Sequence, residues 1–237
     1  MQWDDEAIIV SVRPHGETSA LVEVFARRRG RWRGLVRGGR SRHRRPVLQA
    51  GNKVRATWRA RLEDQLGSFA IEPVAQYAPR IWHDPAALAG LEALLFGLRL
   101  LPERDAHERL HAGACVVLER LAEDGPWPAL LARFEMRLLA ELGFGLDLSA
   151  CAAGGAGPLV WVSPKSGRAV SEEAGRPYAD RLLRLPAFLH DSAAPAAAAD
   201  IRAAFALTGH FLNRHVLQPR GLTFPPGRAR LLARLGE

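Results

Sequence analysis

The part of this 237-residue sequence best equipped for chemistry is a stretch without acids. Between Val24 and Leu62 there are 14 Lys and Arg side chains and no Asp or Glu. Ten are arginines within residues 27–45, namely Arg27, Arg28, Arg29, Arg31, Arg33, Arg37, Arg40, Arg42, Arg44 and Arg45, and Lys53, Arg55 and Arg59 follow. A surface lined this way neutralises phosphates and releases condensed counterions. Guanidinium groups also fork onto phosphate oxygens and stack on bases. The bland alternative is a solvated face that only keeps the chain soluble. Fourteen cations to no acid, over two or three strands and a Gly-rich loop, favours nucleic acid. The candidate DNA contacts are Arg27, Arg28, Arg31, Arg33, Arg37, Arg40, Arg42, Arg44, Arg45, Lys53, Arg55 and Arg59. Trp32 and Trp58 share the window, but a strand tryptophan in a small barrel is more often core than stacking platform.

Other chemistry is thin. Gly34–Ser41 lacks the G-x-x-x-x-G-K-[ST] spacing of a phosphate-binding loop, and Gly38-Gly39 reads as a sharp turn in a basic loop. The eight histidines form no H-E-x-x-H pattern. His107 and His111 have the i,i+4 spacing of a metal pair, yet Glu108 and Arg109 make them look like surface histidines. Ser163 and Lys165 sit in a Gly/Pro-rich loop, not in a helical S-x-x-K arrangement. Cys151 reads as a small semi-buried residue. No catalytic residue, metal ligand or cofactor is expected. A hydrolase using the basic face for substrate is the alternative reading, but it needs clustered carboxylates or histidines, and the acids are scattered. Arg133 and Arg137 lie one turn apart on one face of an amphipathic helix. They could rim a groove for an acidic-apolar peptide, or simply belong to a packed bundle with intrahelical Arg–Glu pairs.

The elements that must position these groups follow from period and charge. The net charge of +8 lies entirely in residues 1–80, with 16 basic and 8 acidic side chains. The remainder is balanced, 17 against 17. Such asymmetry points to a polyanionic partner, nucleic acid or an anionic membrane. Two cysteines cannot make a disulfide framework. An acidic N-terminus does not read as a signal peptide, and no apolar run approaches the ~20 residues that span a bilayer. A cytoplasmic protein is expected. Strand patterns fall at 7–12, 19–26, 31–37, 54–62 and 68–75, separated by turn residues. Five short strands with one long connection suit a small closed barrel, of the OB or the SH3-like kind. From Pro85 the period becomes helical, over 85–101, 105–123 and 127–142, then from about 197 to 217 and near 228–235. Residues 151–170 lose that period and hold one strand-like piece, 159–163. A barrel domain over 1–80 and a helical domain over 81–237 are expected, with an irregular, zinc-ribbon-like but metal-free segment at about 151–175.

Several stretches resemble the RecO family of bacterial recombination mediators. His15-Gly16-Glu17-Thr18-Ser19, followed by Phe25 and Gly30, is similar to the family's opening motif. Leu35–Arg40 is similar to its basic element, and Leu48–Gly51 to its "LQPG" stretch. The most specific run is Arg133-Phe134-Glu135, Leu138-Leu139 and Leu142-Gly143-Phe144-Gly145-Leu146-Asp147-Leu148, ending at Cys151; Val162–Val170 is also similar. The resemblance spans the chain in order. It implies an α+β multidomain architecture, with a five-stranded OB-fold barrel followed by an α-helical domain with a small irregular or β insertion. In some members it implies a four-cysteine zinc module near Cys151. Only that cysteine stands here, so no zinc is expected. The resemblance further implies non-catalytic binding of single- and double-stranded DNA, strand annealing and partnership with RecR. With these come help in loading RecA onto DNA coated by single-stranded-DNA-binding protein (SSB), nucleoid association and no membrane. It also implies a contact between the helical domain and the SSB C-terminal tail, for which Arg133 and Arg137 are the candidates.

Overall fold

A computed structural model of the chain describes residues 1–62, 64–123 and 125–235. Five strands, β1 (Gln2–His15), β2 (Ser19–Ala26), β3 (Gly30–Val36), β4 (Lys53–Arg59) and β5 (Ser68–Ala75), close into a barrel in the order β1-β2-β3-β5-β4. That order, with its single parallel pairing of β3 and β5 at Leu35 and Ser68, is the Greek-key closure of an OB fold. The choice left open by strand count is thereby decided.

Side chains alternate as a closed barrel demands. Ala20, Val22, Val24 and Ala26 of β2 point inward, with Val54, Ala56 and Trp58 of β4. Trp32 and Trp58 join Trp3 and Phe69 at one end of this core. The Trp32–Trp58 ring centroids are 4.7 Å apart and Trp3–Trp58 6.2 Å. Both tryptophans of the basic window are therefore core. β1 begins five residues earlier than the apolar pattern predicts. Its acidic opening is strand because each acid finds a cation: Asp4 pairs with Arg55 at 2.8 Å and Glu6 with Lys53 at 2.9 Å. The buried Asp5 accepts the amide of Arg28 at 2.6 Å.

The outward face of β1 and β2 is also apolar, with Ile8, Val10 and Phe25 fully buried. Three helices follow, α1 (Ala78–Ile81), α2 (Pro85–Arg99) and α3 (Glu108–Ala122), and belong with the barrel to one compact unit, Met1–Trp127. Asp84 caps α2 by accepting the Ala86 amide at 2.7 Å. His107 and His111 are buried rather than on the surface, because α3 turns that face toward the barrel, where the His111 ring lies 5.7 Å from Phe25. Burial holds His111 down to about 4 and pushes the Cys115 thiol up to about 11, so both are neutral at pH 7.

One buried charge cluster links β2, β3 and α2. Glu23 accepts from Arg31 at 2.5 Å, and the same guanidinium donates to the carbonyls of Arg99 and Leu101, each at 2.6 Å. Those carbonyls are orphans of the α2 C-terminus, where a cation is favoured. The next residues run along β3: the Arg104 amide donates to the Arg31 carbonyl at 2.9 Å. Gly30 (φ +67) is required there, since a Cβ would lie 1.8 Å from the Asp105 carbonyl oxygen.

The second unit begins at Pro128. It contains most of α4 (Trp127–Glu141) and a three-stranded sheet of β6 (Leu159–Val162), β7 (Ala169–Ser171) and β8 (Leu183–Arg184) in the order β7-β6-β8. It also holds the short α5 (Glu172–Gly175), α6 (Ala198–Leu212) continuing as a π-helical turn to Leu217, and α7 (Pro226–Arg234). The strand-like piece at 159–163 is thus the centre of a small sheet. Glu135 makes no intrahelical pair among the described residues. It is buried against Arg228 of α7 and accepts the Thr208 hydroxyl at 2.5 Å.

The buried and exposed arginines of β3 should differ sharply in their stability effects. Replacing Arg31 by Met leaves the buried Glu23 carboxylate with only the looser contacts of Arg33 at 3.8 Å and Arg99 at 3.9 Å, and a loss of about 3 kcal/mol, the low end for a broken buried pair, is expected. Arg33→Ala should cost about 1 kcal/mol or less. Urea unfolding of both variants beside the unaltered chain measures the difference; equal effects would mean that the cluster does not hold the unit together.

Candidate nucleic-acid interface

The twelve cations read from the sequence divide evenly. Arg27, Arg28, Arg31, Arg33, Lys53 and Arg55 each have a carboxylate partner, all supplied from outside the acid-free window: Glu108, Asp5, Glu23, Glu103, Glu6 and Asp4 respectively. Arg31 is consumed by the interior and presents no free donor face. Arg37, Arg40, Arg42, Arg44, Arg45 and Arg59 are exposed and have no carboxylate partner among the described residues. Five of these lie on the β3–β4 connection. The ladder places the sixth at the same end of the barrel as the start of that loop, since Arg59 pairs with Ser68, which pairs with Leu35.

The connection is held at five places. Gly38 turns with φ +64, and Gly39 packs so closely on Ala20 that a Cβ would come within 2.8 Å of it. The Arg40 amide donates to the Thr18 carbonyl at 3.0 Å, and its guanidinium donates to the carbonyls of Gly16 and Glu17 at 2.9 and 2.8 Å. Arg44 reaches the Ile71 carbonyl on β5 at 2.9 Å. Leu48 enters the barrel core, and the Asn52 side-chain Nδ2 donates to the carbonyls of Pro46 and Val47, both at 3.0 Å. Arg40 and Arg44 thus use one nitrogen each to fix the backbone, while Arg37, Arg42 and Arg45 project from it. A loop backbone pinned in this way needs little ordering when an anion arrives, which favours binding. The window's tryptophans are not a stacking platform for it, because both are sealed in the core. The signal sequence reasoning lacked was pairing across distance: nothing local marks Glu103 and Glu108 as partners of Arg33 and Arg27.

The two helical candidates separate as well. Arg133 donates to the Phe188 carbonyl at 2.9 Å and lies over the Phe188 ring. Arg137 is exposed. A cavity of about 600 Å³ in this unit is lined by Leu159, Trp161, Leu185, Pro186 and Pro195, with Glu172, Arg184, His190 and Asp200 also facing it. Arg133 does not line it, but it holds the 187–189 turn beside its wall.

The β6–β8 sheet stands where the zinc module of some family members was implied, and its donors do not suit a metal. The Cys151 sulfur faces the Ser171 hydroxyl at 3.4 Å and amide at 3.2 Å. Among the described residues no group of three or more His, Cys, Asp or Glu could hold an ion. Those two Ser171 donors lower the Cys151 thiol to about 7.

The family described as Recombination protein O N terminal matches residues 1–77, and Recombination protein O C terminal matches residues 85–222. The chain belongs to the RecO family. Proteins called DNA repair protein RecO from Methylorubrum populi and Methylobacterium nodulans are each 52% identical to it, covering 98% and 100% of this chain and 98% of their own. The one from Rhizobium johnstonii is 54% identical over 94% of this chain and 88% of its own. RecO membership places the chain in DNA repair and recombination. Among the described residues no helix is long and apolar enough to cross a membrane.

The two cysteines of this RecO chain should react very differently. Cys151, held near 7, is expected to be alkylated by iodoacetamide at neutral pH, and Cys115, pushed up to about 11, to be spared until the protein unfolds. Peptide mass mapping after limited alkylation checks it. Ser171→Ala should slow the Cys151 reaction at pH 7 by restoring a more ordinary thiol.

Proposed function

We propose that the chain is a non-catalytic recombination mediator that binds single- and double-stranded DNA through the phosphate backbone on the 37–45 loop of its barrel and anneals complementary strands. With RecR it would help load RecA onto SSB-coated single strands, acting in the cytoplasm in association with the nucleoid. The observation that carries the reading is the pinned loop with five exposed arginines and no carboxylate partner among the described residues. Such a surface lowers the repulsion between two phosphate backbones without reading bases, which annealing requires. The acidic-apolar SSB tail would meet the helical unit at Arg133 and Arg137, Arg137 from the open side of α4 and Arg133 through Nη1, since its Nε and Nη2 go to the carbonyls of Phe188, Asp191 and Ser192. For the alternative of a DNA hydrolase, no carboxylate or histidine cluster able to hold a metal ion is found among the described residues.

The test is a salt titration of a fluorescent oligonucleotide, single-stranded and duplex. The log–log slope should be steep, about −0.7 per phosphate contact for single strands and about −0.9 for duplex. Replacing Arg37, Arg40, Arg42, Arg44 and Arg45 together by Ala should weaken binding about tenfold or more at low salt and flatten the slope by about two to four. The same variant should lose annealing of SSB-coated complementary strands. A slope near zero, or a five-alanine variant that binds as well as the unaltered chain, would remove the loop from the mechanism.

A further inference from the structure

Two acids between α2 and the start of α3 sit on arginines of the β2–β3 hairpin. Glu103 is 2.6 Å from Arg33, and Glu108 is 3.1 Å from Arg27. These pairs are about half exposed, 49% and 47% for Arg33 and Glu103 and 58% and 52% for Arg27 and Glu108. Beneath them, the Arg31–Glu23 pair is only 11% and 10% exposed. That contrast decides what an incoming anion could displace. Exposed pairs are weak and screened by salt, and a phosphodiester oxygen offers a guanidinium the same charge-assisted hydrogen bond as a carboxylate. Exchange there is close to neutral, whereas the buried pair cannot be opened without stranding a charge.

The acids are also delivered by a fixed backbone. The Arg104 amide is bonded to the Arg31 carbonyl, Arg104 itself has φ 64, and its guanidinium lies 4.6 Å from the Trp32 ring centre. Glu103 can therefore swing away from Arg33 and return without the segment leaving β3. The hairpin turn that carries Arg27 is separated from the 37–45 loop by the length of β3, about 20 Å for seven residues.

We propose that Arg27 and Arg33 form a second phosphodiester site on the outer face of the hairpin, closed by Glu103 and Glu108 as resident anions that a nucleic-acid backbone displaces. This rests on the loop reading above. The loop, with no carboxylate to displace, takes a backbone first. The hairpin face engages only when a second stretch of phosphates is held close enough to compete. The site therefore favours a dense or doubled polyanion over a lone strand.

Fluorescence anisotropy with labelled dT30 and with its dA30 duplex tests this on the full chain. Glu103→Gln with Glu108→Gln should tighten binding about three- to tenfold at low salt, and adding Arg27→Ala and Arg33→Ala should abolish that gain. In the otherwise unaltered chain, Arg27→Ala with Arg33→Ala should weaken duplex binding more than single-strand binding. Unchanged or weaker binding by the Gln pair would overturn the proposal. So would a lack of effect of the two Ala substitutions in the native background, a result independent of how the Gln pair folds. Failure of the loop reading is separate: it would show as full binding by the five-alanine loop variant, whatever the hairpin does.

Discussion

Like-charge repulsion between neighbouring guanidinium groups is the constraint around which the first unit is organised. A barrel whose central window holds only cations must import its acids, and it does so from three directions: the opening of β1, the middle of β2 and the connection after α2. Each import ties an element to the barrel. Asp4 and Glu6 extend β1 along β4. Glu23 draws Arg31 inward, where it also receives the end of α2. Glu103 and Glu108 fasten the run into α3. The helices that follow the barrel are thus attached to it by charge as well as by Ile8, Val10 and Phe25.

This organisation also decides which arginines remain available. A cation near an imported acid is at least partly neutralised, and the imported acids reach Arg27, Arg28, Arg31 and Arg33 of the hairpin and Lys53 and Arg55 of early β4. The 37–45 loop lies beyond their reach and is held by carbonyls instead. Carbonyls restrain a guanidinium without cancelling its charge, so the loop is ordered and still fully cationic. The second unit uses one buried pair, Glu135 with Arg228, in the same structural way as Glu23 with Arg31.

Much of this was legible in the sequence. The five strands, the three helices after Pro85 and the weak strand at 159 follow from local period, and the acid-free window from plain composition. Less could be read where a residue's meaning depends on a distant partner. Asp4, Asp5 and Glu6 look like a polar terminus until Arg55, Arg28 and Lys53 are brought beside them. His107 and His111 look exposed because Glu108 and Arg109 adjoin them, while the barrel covers their face of the helix. β7 and β8 are too short to carry a period. Of the candidate contacts, the loop arginines could be anticipated as a group, but nothing local separated Arg31 from Arg33, since their difference is burial under the end of α2.

The enclosure of Trp3, Trp32 and Trp58 in the barrel has an optical consequence. Their indoles are shielded from water by the same strands that carry the cations outside. Emission from this trio follows the integrity of the barrel, whereas the exposed Trp82 answers to the solvent around it.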